Sequence, residues 1–224
     1  MRYVIVNDKK IEIPVKAGTL LEMLRENLGL TGAKQACDNG ECGSCIVLMN
    51  GKPTKSCLLS ADRAAEKKVL TIEGLAPEAM DIQPGDDYSL LHPIQQAFLA
   101  KGATQCGFCI PGMIMKTHEL LARKPDPTHD EIVKGLSTNL CRCTGYTKII
   151  EAVQYSAELI REKQNAPKPL QPNGRAVGRN VARLDSPSTV TGTAKYGADL
   201  KMNGMLFGKL LRSEHHHARI ISID

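Results

Sequence analysis

The residues with the clearest chemical potential are eight cysteines, which fall into two groups of four. In the first group, Cys37, Cys42 and Cys45 follow a C-x4-C-x2-C spacing, and Cys57 comes shortly after them. This spacing is typical of a 2Fe-2S site, in which four thiolates surround a compact cluster. The first group therefore predicts an iron-sulfur site.

The second group combines the pair Cys106 and Cys109 with the pair Cys141 and Cys143. Pro111 follows the first pair, and proline is well tolerated in the first turn of a helix, so we expect this pair at a helix N-terminus. The helix dipole favours thiolate at such a place. Pairs spaced C-x2-C also occur in zinc ribbons, so this group alone leaves zinc open.

The loop of the first group contains Gly40 and Gly43. Backbone N–H groups must turn towards the sulfur atoms of an anionic cluster to offset its charge. Glycine suits such a loop because it readily takes positive φ. The cysteines form two complete sets and nothing in the sequence indicates export, which disfavours a disulfide framework.

The elements that must position the first group read as strands. Apolar segments with strand character lie at residues 3–6, 11–15, 46–49 and 69–72. The first two flank a polar turn at residues 7–10 and predict a β-hairpin. The dipeptide Asn50-Gly51 after the third is typical of a hairpin turn.

A helix is predicted between these hairpins. Leu20, Leu24 and Leu28 repeat every four residues, which indicates an amphipathic helix that Gly29 helps to end. Two hairpins with a helix laid across them favour a small β-grasp-like sheet over residues 1–75.

A Gly-, Pro- and Asp-rich stretch at residues 74–87 reads as a linker, and the periodicity beyond it is helical, so the second domain is predicted over residues 76–163. Thr128 and Glu131 form a capping box before one of the helices. Such short helices must bury their apolar stripes on one another, so a compact four-helix bundle is predicted. The predicted core positions are Leu91, Ile94, Phe98, Ile110, Ile114, Leu121, Ile132, Val133, Leu136, Ile150, Val153, Ala157 and Ile160.

Composition excludes several classes of function. The chain is 42% hydrophobic and 24% charged, as in soluble globular proteins, and no signal sequence or membrane span is visible, so a cytoplasmic location is predicted. The net charge of +5 comes from residues 165–224, which contain nine Lys and Arg residues but only four Asp and Glu residues. With no Trp and only three Phe, we expect no nucleic-acid binding.

Three motifs together resemble the molybdenum hydroxylases, the family of xanthine dehydrogenase and aldehyde oxidoreductase. They are Cys-Asp-Asn-Gly-Glu-Cys-Gly-Ser-Cys at residues 37–45, Gln-Cys-Gly-Phe-Cys-Ile-Pro-Gly at 105–112 and Cys-Arg-Cys-Thr-Gly-Tyr at 141–146. The resemblance covers residues 1–163. It implies an α+β fold, with a β-grasp 2Fe-2S ferredoxin-like domain followed by a four-helix-bundle 2Fe-2S domain.

The resemblance also implies a role for each cysteine. The first cluster would be held by Cys37, Cys42, Cys45 and Cys57, and the second by Cys106, Cys109, Cys141 and Cys143. Gln105 and Cys143 match positions that contact the molybdopterin cofactor in this family. Electrons would pass from molybdopterin to the second cluster and leave by the first, towards a FAD subunit or another external acceptor.

The C-terminal part extends the resemblance. Residues 164–179 form a proline-rich linker, and residues 180–224 resemble the start of a molybdopterin-binding domain, a short α/β stub. The sequence stops before the molybdenum-site residues of the family, so substrate turnover would need a partner chain or a further region that holds most of the molybdopterin. The implied activity is that of an oxidoreductase component, with an aldehyde, a purine or another N-heterocycle as substrate.

Two other functions compete with this interpretation. One is a zinc-stabilised assembly module that carries no electrons, and the other is a free-standing two-cluster ferredoxin. An apolar stub that resembles half a fold needs a fixed neighbour, which argues against a free-standing ferredoxin.

Overall fold

The computed structural model describes residues 2–166, 183–206 and 208–223, and its first element is the predicted β-hairpin. Strands β1 (Tyr3–Val6) and β2 (Lys9–Glu12) pair antiparallel. The turn consists of Asn7 and Asp8 alone, both with positive φ (47° and 63°), which matches the right-handed twist of the strands. The second strand therefore begins at Lys9, inside the predicted turn, and ends earlier than predicted.

The second predicted hairpin is also present. Strands β3 (Ile46–Met49) and β4 (Lys52–Lys55) pair antiparallel around Asn50 and Gly51. Strand β5 (Lys68–Leu70) joins the two hairpins, parallel to β1 and antiparallel to β3, in a sheet of order β2-β1-β5-β3-β4. The prediction that this strand reaches residue 72 is wrong, because Ile72 begins a 3-10 turn and packs with the helices.

The predicted first helix is α1 (Leu20–Glu22), which continues as a π-helical stretch over Met23–Asn27. Leu20 and Leu24 are fully buried with side chains of the sheet. Gly29, with φ +67°, follows the helix end as predicted. The leucine periodicity predicted the helix but not its π-helical turn, in which the Leu28 N–H donates to the Met23 carbonyl oxygen.

Helices α2 (Pro93–Ala100), α3 (Ile110–Arg123), α4 (His129–Leu136) and α5 (Tyr146–Glu162) confirm the four predicted helices. Two predicted core positions are wrong, since Val133 is 44% exposed and Ile160 is 40% exposed. On α5 the predicted Val153 and Ala157 are buried, Ile149 is buried as well, and Ile150 is partly buried against the same core. None of the helices in the described ranges combines the length and apolar character that a bilayer span requires.

Strand β3 is buried on both faces, which explains its unbroken apolar sequence. Val47 packs with α1 and the first hairpin, whereas Ile46 and Leu48 pack with the helices. The sheet and the helices therefore share an apolar boundary. The domain limits at residues 75 and 163 stay a prediction.

Residues to Ala194 form one unit and Lys195 onwards a second. Helix α6 (Ser186–Thr191) belongs to the first unit, where Gln95 donates to the Val190 carbonyl (2.9 Å). In the second unit the described residues contain one 3-10 turn, Gly197–Asp199, and many exposed apolar side chains. Most of the predicted linker at 164–179 lies outside the described residues.

Candidate iron-sulfur sites

The four cysteines of the first group meet at one edge of the sheet. The backbone N–H of Cys42 donates to Cys37 Sγ (3.4 Å), and the sulfur atoms of Cys45 and Cys57 are 3.4 Å apart. Cys45 and Cys57 are buried, while Cys37 and Cys42 are half-buried. Residues up to 20 positions apart in sequence thus present four thiols to one place.

The loop depends on its two glycines, as predicted. Gly40 and Gly43 have φ of +81° and +72°, values that other residues adopt only with strain. A Cβ on Gly40 would lie 2.3 Å from Leu58 Cδ1, and one on Gly43 would lie 2.6 Å from the Thr138 carbonyl oxygen. Larger residues at these two positions would force the loop backbone into a different conformation.

Two thiols of this group, Cys37 and Cys57, have opposite shifts in proton affinity. The N–H of Cys42 lowers the pKa of Cys37 to about 6, whereas burial and the neighbouring Cys45 raise the pKa of Cys57 to about 12. Four thiolates packed this closely repel one another unless positive charge lies between them. A metal cluster supplies that charge, and thiols that coordinate a metal lose their protons.

The cysteines of the second group line a common cavity between α3 and α5. Its lining comprises Ala103, Gln105, Cys106, Gly107, Cys109, Ile110, Cys141, Cys143 and Gly145. Cys109 is the N-cap of α3, and the backbone N–H of Gly145 donates to Cys141 Sγ (3.4 Å). The predicted helix N-terminus is therefore present.

Burial is the main influence on the proton affinity of two of these thiols, Cys109 and Cys106. It raises the pKa of Cys109, with the nearby Cys141 adding to the effect, and it also raises the pKa of Cys106. The backbone N–H of Cys106 lowers the pKa of Cys143. The helix N-terminus favours thiolate at Cys109, but burial has the larger effect and keeps the pKa of this thiol raised while no metal is bound.

Both groups fit a binuclear cluster. Among the described residues, no three His, Cys, Asp or Glu side chains are placed to hold a single ion. A 2Fe-2S cluster does not need such a placement, because each of its two irons takes two thiolates. The soft sulfur donors and the N–H groups directed at Cys37 and Cys141 suit that cluster.

Gln105 lies at the mouth of the second cavity and is exposed. Arg183, which sequence reasoning missed, donates to the carbonyl oxygens of Thr104 (2.9 Å) and Gln105 (2.7 Å). It also pairs with Asp185 (2.6 Å). No local pattern marks Arg183, because its partners lie 78 and 79 positions away.

Two family models match the chain. Residues 4–76 match the 2Fe-2S iron-sulfur cluster binding domain, and residues 71–154 match the 2Fe-2S binding domain. These matches and the two cysteine sets define an electron-transfer protein with two 2Fe-2S clusters.

Relatives narrow the class. The nicotinate dehydrogenase small FeS subunit of Eubacterium barkeri is 48% identical over 139 residues, which are 62% of this chain and 82% of that subunit. The aldehyde oxidoreductase of Megalodesulfovibrio gigas is 35% identical over 233 aligned residues, covering 100% of this chain and 25% of the relative. The chain belongs to the molybdenum hydroxylase family, in which it corresponds to the 2Fe-2S region.

A solved structure supports the same fold. The aldehyde oxidoreductase from Desulfovibrio gigas superposes with a TM-score of 0.76 at 35% identity, over 88% of this chain and 22% of that one. The α+β fold is therefore confirmed. The chain spans only about a quarter of the length of such fused enzymes, so their whole activity is not a property shown for it.

Proposed function

We propose that this chain relays electrons through two clusters held by the cysteine sets described above. The first set is Cys37, Cys42, Cys45 and Cys57, and the second is Cys106, Cys109, Cys141 and Cys143. The observation that carries the proposal is the convergence of each set in a separate place, with backbone N–H groups directed at sulfur. Each cluster would accept and return one electron, while the chain fixes where it is held.

The proposed direction is from the second set to the first. Gln105 and Cys143 line the mouth of the second cavity, where molybdopterin could contact them, and Arg183 holds the Gln105 backbone in place. Cys37 and Cys42 are half-buried, so the first set can reach an outside acceptor.

The partner in this proposal is a molybdopterin-binding subunit or region, and the acceptor is a FAD subunit or another external acceptor. The second unit, beginning at Lys195, would contact the molybdopterin-binding partner through its exposed apolar side chains. Relatives are named for nicotinate and for aldehydes, so an aldehyde, a purine or another N-heterocycle is the proposed substrate class. The proposed location is cytoplasmic.

Metal analysis of anaerobically purified protein tests the relay. Two complete sets predict about four iron and four acid-labile sulfide per chain. Cys42→Ser should remove the first cluster and leave the second, whereas Cys109→Ser should do the reverse, so each variant is the control for the other. About two zinc ions per chain, without sulfide, would instead establish the assembly module.

A further inference from the structure

The loop of the first cysteine set touches the segment that carries the second. The backbone N–H of Leu140 donates to the carbonyl oxygen of Cys42 (2.9 Å). Next to it, the Asn139 side chain donates through Nδ2 to the carbonyl oxygen of Gly43 (3.3 Å), across 96 positions of sequence. Because Leu140 precedes Cys141, a cysteine of each set lies directly at this contact.

Glycines allow the two segments to approach so closely. A Cβ on Gly43 would lie 2.6 Å from the Thr138 carbonyl oxygen and 2.8 Å from Asn139 Nδ2. From the side of α3, a Cβ on Gly112 would lie 2.4 Å from the Gly43 carbonyl oxygen. These atoms are mostly backbone, which cannot move aside as a flexible side chain can. The loop is therefore clamped between the start of α3 and residues 138–140.

Asn139 is held at this contact although its burial is costly. It is 3% exposed, and its backbone N–H donates to Leu136 at the end of α4 (2.9 Å). Its Nδ2 reaches Gly43, but its buried Oδ1 has no hydrogen-bond partner among the described residues. A buried amide that lacks one of its hydrogen bonds destabilises a fold. Stability alone therefore does not explain why Asn139 lies over Gly43.

We propose that Asn139 is a positioning residue that holds the hydrogen bond between Leu140 and Cys42, and that this bond links the two cluster sites. The inference rests on the proposed function. From Cys42 Sγ to Cys141 Sγ, the chain offers a path of covalent bonds interrupted by this one hydrogen bond. One electron moves from the second site to the first, so the second is oxidised and the first reduced, and no covalent bond forms or breaks.

The test compares Asn139→Ala and Gly112→Ala with the wild-type chain. Asn139→Ala removes the side-chain hydrogen bond to the Gly43 carbonyl oxygen, and Gly112→Ala places a methyl group against the same oxygen. Gly197→Ala is the matched control for an added methyl group, because no atom lies within 4 Å of that Cβ position. Asn139→Ser, which keeps a shorter donor, guards against loss of folding in Asn139→Ala.

The readouts are iron and sulfide content, the magnetic interaction between the two reduced clusters, and the rate of electron exchange between them. Electron paramagnetic resonance gives the interaction, and rapid freezing after a radiolytic one-electron pulse gives the rate. We expect full iron content in both clamp variants, a weaker magnetic interaction and several-fold slower exchange, with Gly197→Ala unchanged.

Wild-type interaction and exchange in both clamp variants would overturn the inference while leaving the relay intact. Iron loss from both sites in Asn139→Ser as well as Asn139→Ala would also overturn it, because the contact would then serve folding alone. A wild-type chain without iron and sulfide would instead refute the proposed function itself.

Discussion

At the scale of single residues, His92 and His118 form a half-buried pair outside the cysteine sites. Their ring centroids are 5.4 Å apart. His92 Nδ1 accepts the N–H of Ile94 (3.2 Å) at the start of α2, whereas the buried His118 Nδ1 has no partner among the described residues. Burial lowers the pKa of both, and the charge of His118 helps to bring that of His92 to about 4. The folded chain therefore keeps both rings neutral.

This pair predicts a pH dependence of stability. The unfolded chain binds a proton at His92 near pH 6.5 and the folded chain only near pH 4, so stability is full above 6.5 and falls as the pH drops towards 4. The pKa shift corresponds to a loss of about 1 kcal/mol between roughly pH 7.5 and 5.5 from His92 alone. Protonation also removes the lone pair that caps α2.

His92→Asn tests this prediction, because Asn keeps an N-cap acceptor but does not titrate. Thermal unfolding at several pH values should show a shallower loss of stability in acid than in the wild type. His129→Asn is the control, since it removes an exposed imidazole. Equal acid sensitivity of wild type and His92→Asn would show that the histidine pair does not set this slope.

At the scale of elements, the structure confirms the capping box that the sequence predicted at the start of α4. Thr128 Oγ1 accepts the Glu131 N–H (3.4 Å), and the Glu131 carboxylate accepts the Thr128 N–H (2.8 Å). The ammonium of Lys124 and the Thr128 N–H lower the pKa of Glu131 to about 2. Thr128→Ala should cost about 1 kcal/mol in the free energy of unfolding.

Denaturant unfolding of the iron-loaded chain measures that cost. Thr54→Ala is the control, because Thr54 donates to the Lys52 carbonyl in a strand and caps no helix. Iron content should stay at the wild-type level in both variants, since α4 carries no cysteine. A stability change in Thr128→Ala no larger than that in the control would contradict the capping role.

The parts of the fold and of the candidate sites that the sequence predicted correctly are those marked by short sequence patterns. Asn50-Gly51, the capping box and the cysteine spacings act over a few residues, so the sequence alone located the hairpin, the helix start and the candidate ligands. On α5 the sequence pattern could not separate the buried Ile149 from the partly buried Ile150, because the two side chains are equally apolar and only packing distinguishes them. Asn139 and Arg183 escaped notice because their partners are distant in sequence.

At the scale of the whole molecule, residues 183–194 are fixed by hydrogen bonds within the first unit, whereas the second unit exposes many apolar side chains. Within the first unit, Ser186 shares a hydrogen bond with Thr104 (2.9 Å), and Lys34 donates to the Ala194 carbonyl (3.1 Å). From Lys195 onwards the chain exposes large apolar side chains, among them Leu206 (90%) and Ile221 (95%). A segment that leaves so many large apolar side chains exposed suggests a surface that a partner covers.

Removal of residues 195–224 therefore predicts a loss of assembly without a loss of clusters. The cut leaves α6, Arg183 and every cysteine in place, so iron content and the electron paramagnetic resonance signals should match those of the whole chain. Association with a co-expressed molybdopterin-binding subunit, the partner proposed above, should weaken, because the exposed apolar side chains no longer contribute buried area. Co-purification and the dissociation constant from a titration measure this.

Point variants separate the apolar contact from the mere presence of the tail. Leu206→Ser and Ile221→Ser should each weaken association, whereas Lys209→Ser, an exposed polar position in the same unit, should change it little. A cut before Arg183 should additionally disturb the second site, because the Gln105 backbone loses its guanidinium donor. If the chain that ends at Ala194 binds the partner as tightly as the whole chain, the second unit is not the docking element, and the contact must lie on the first unit.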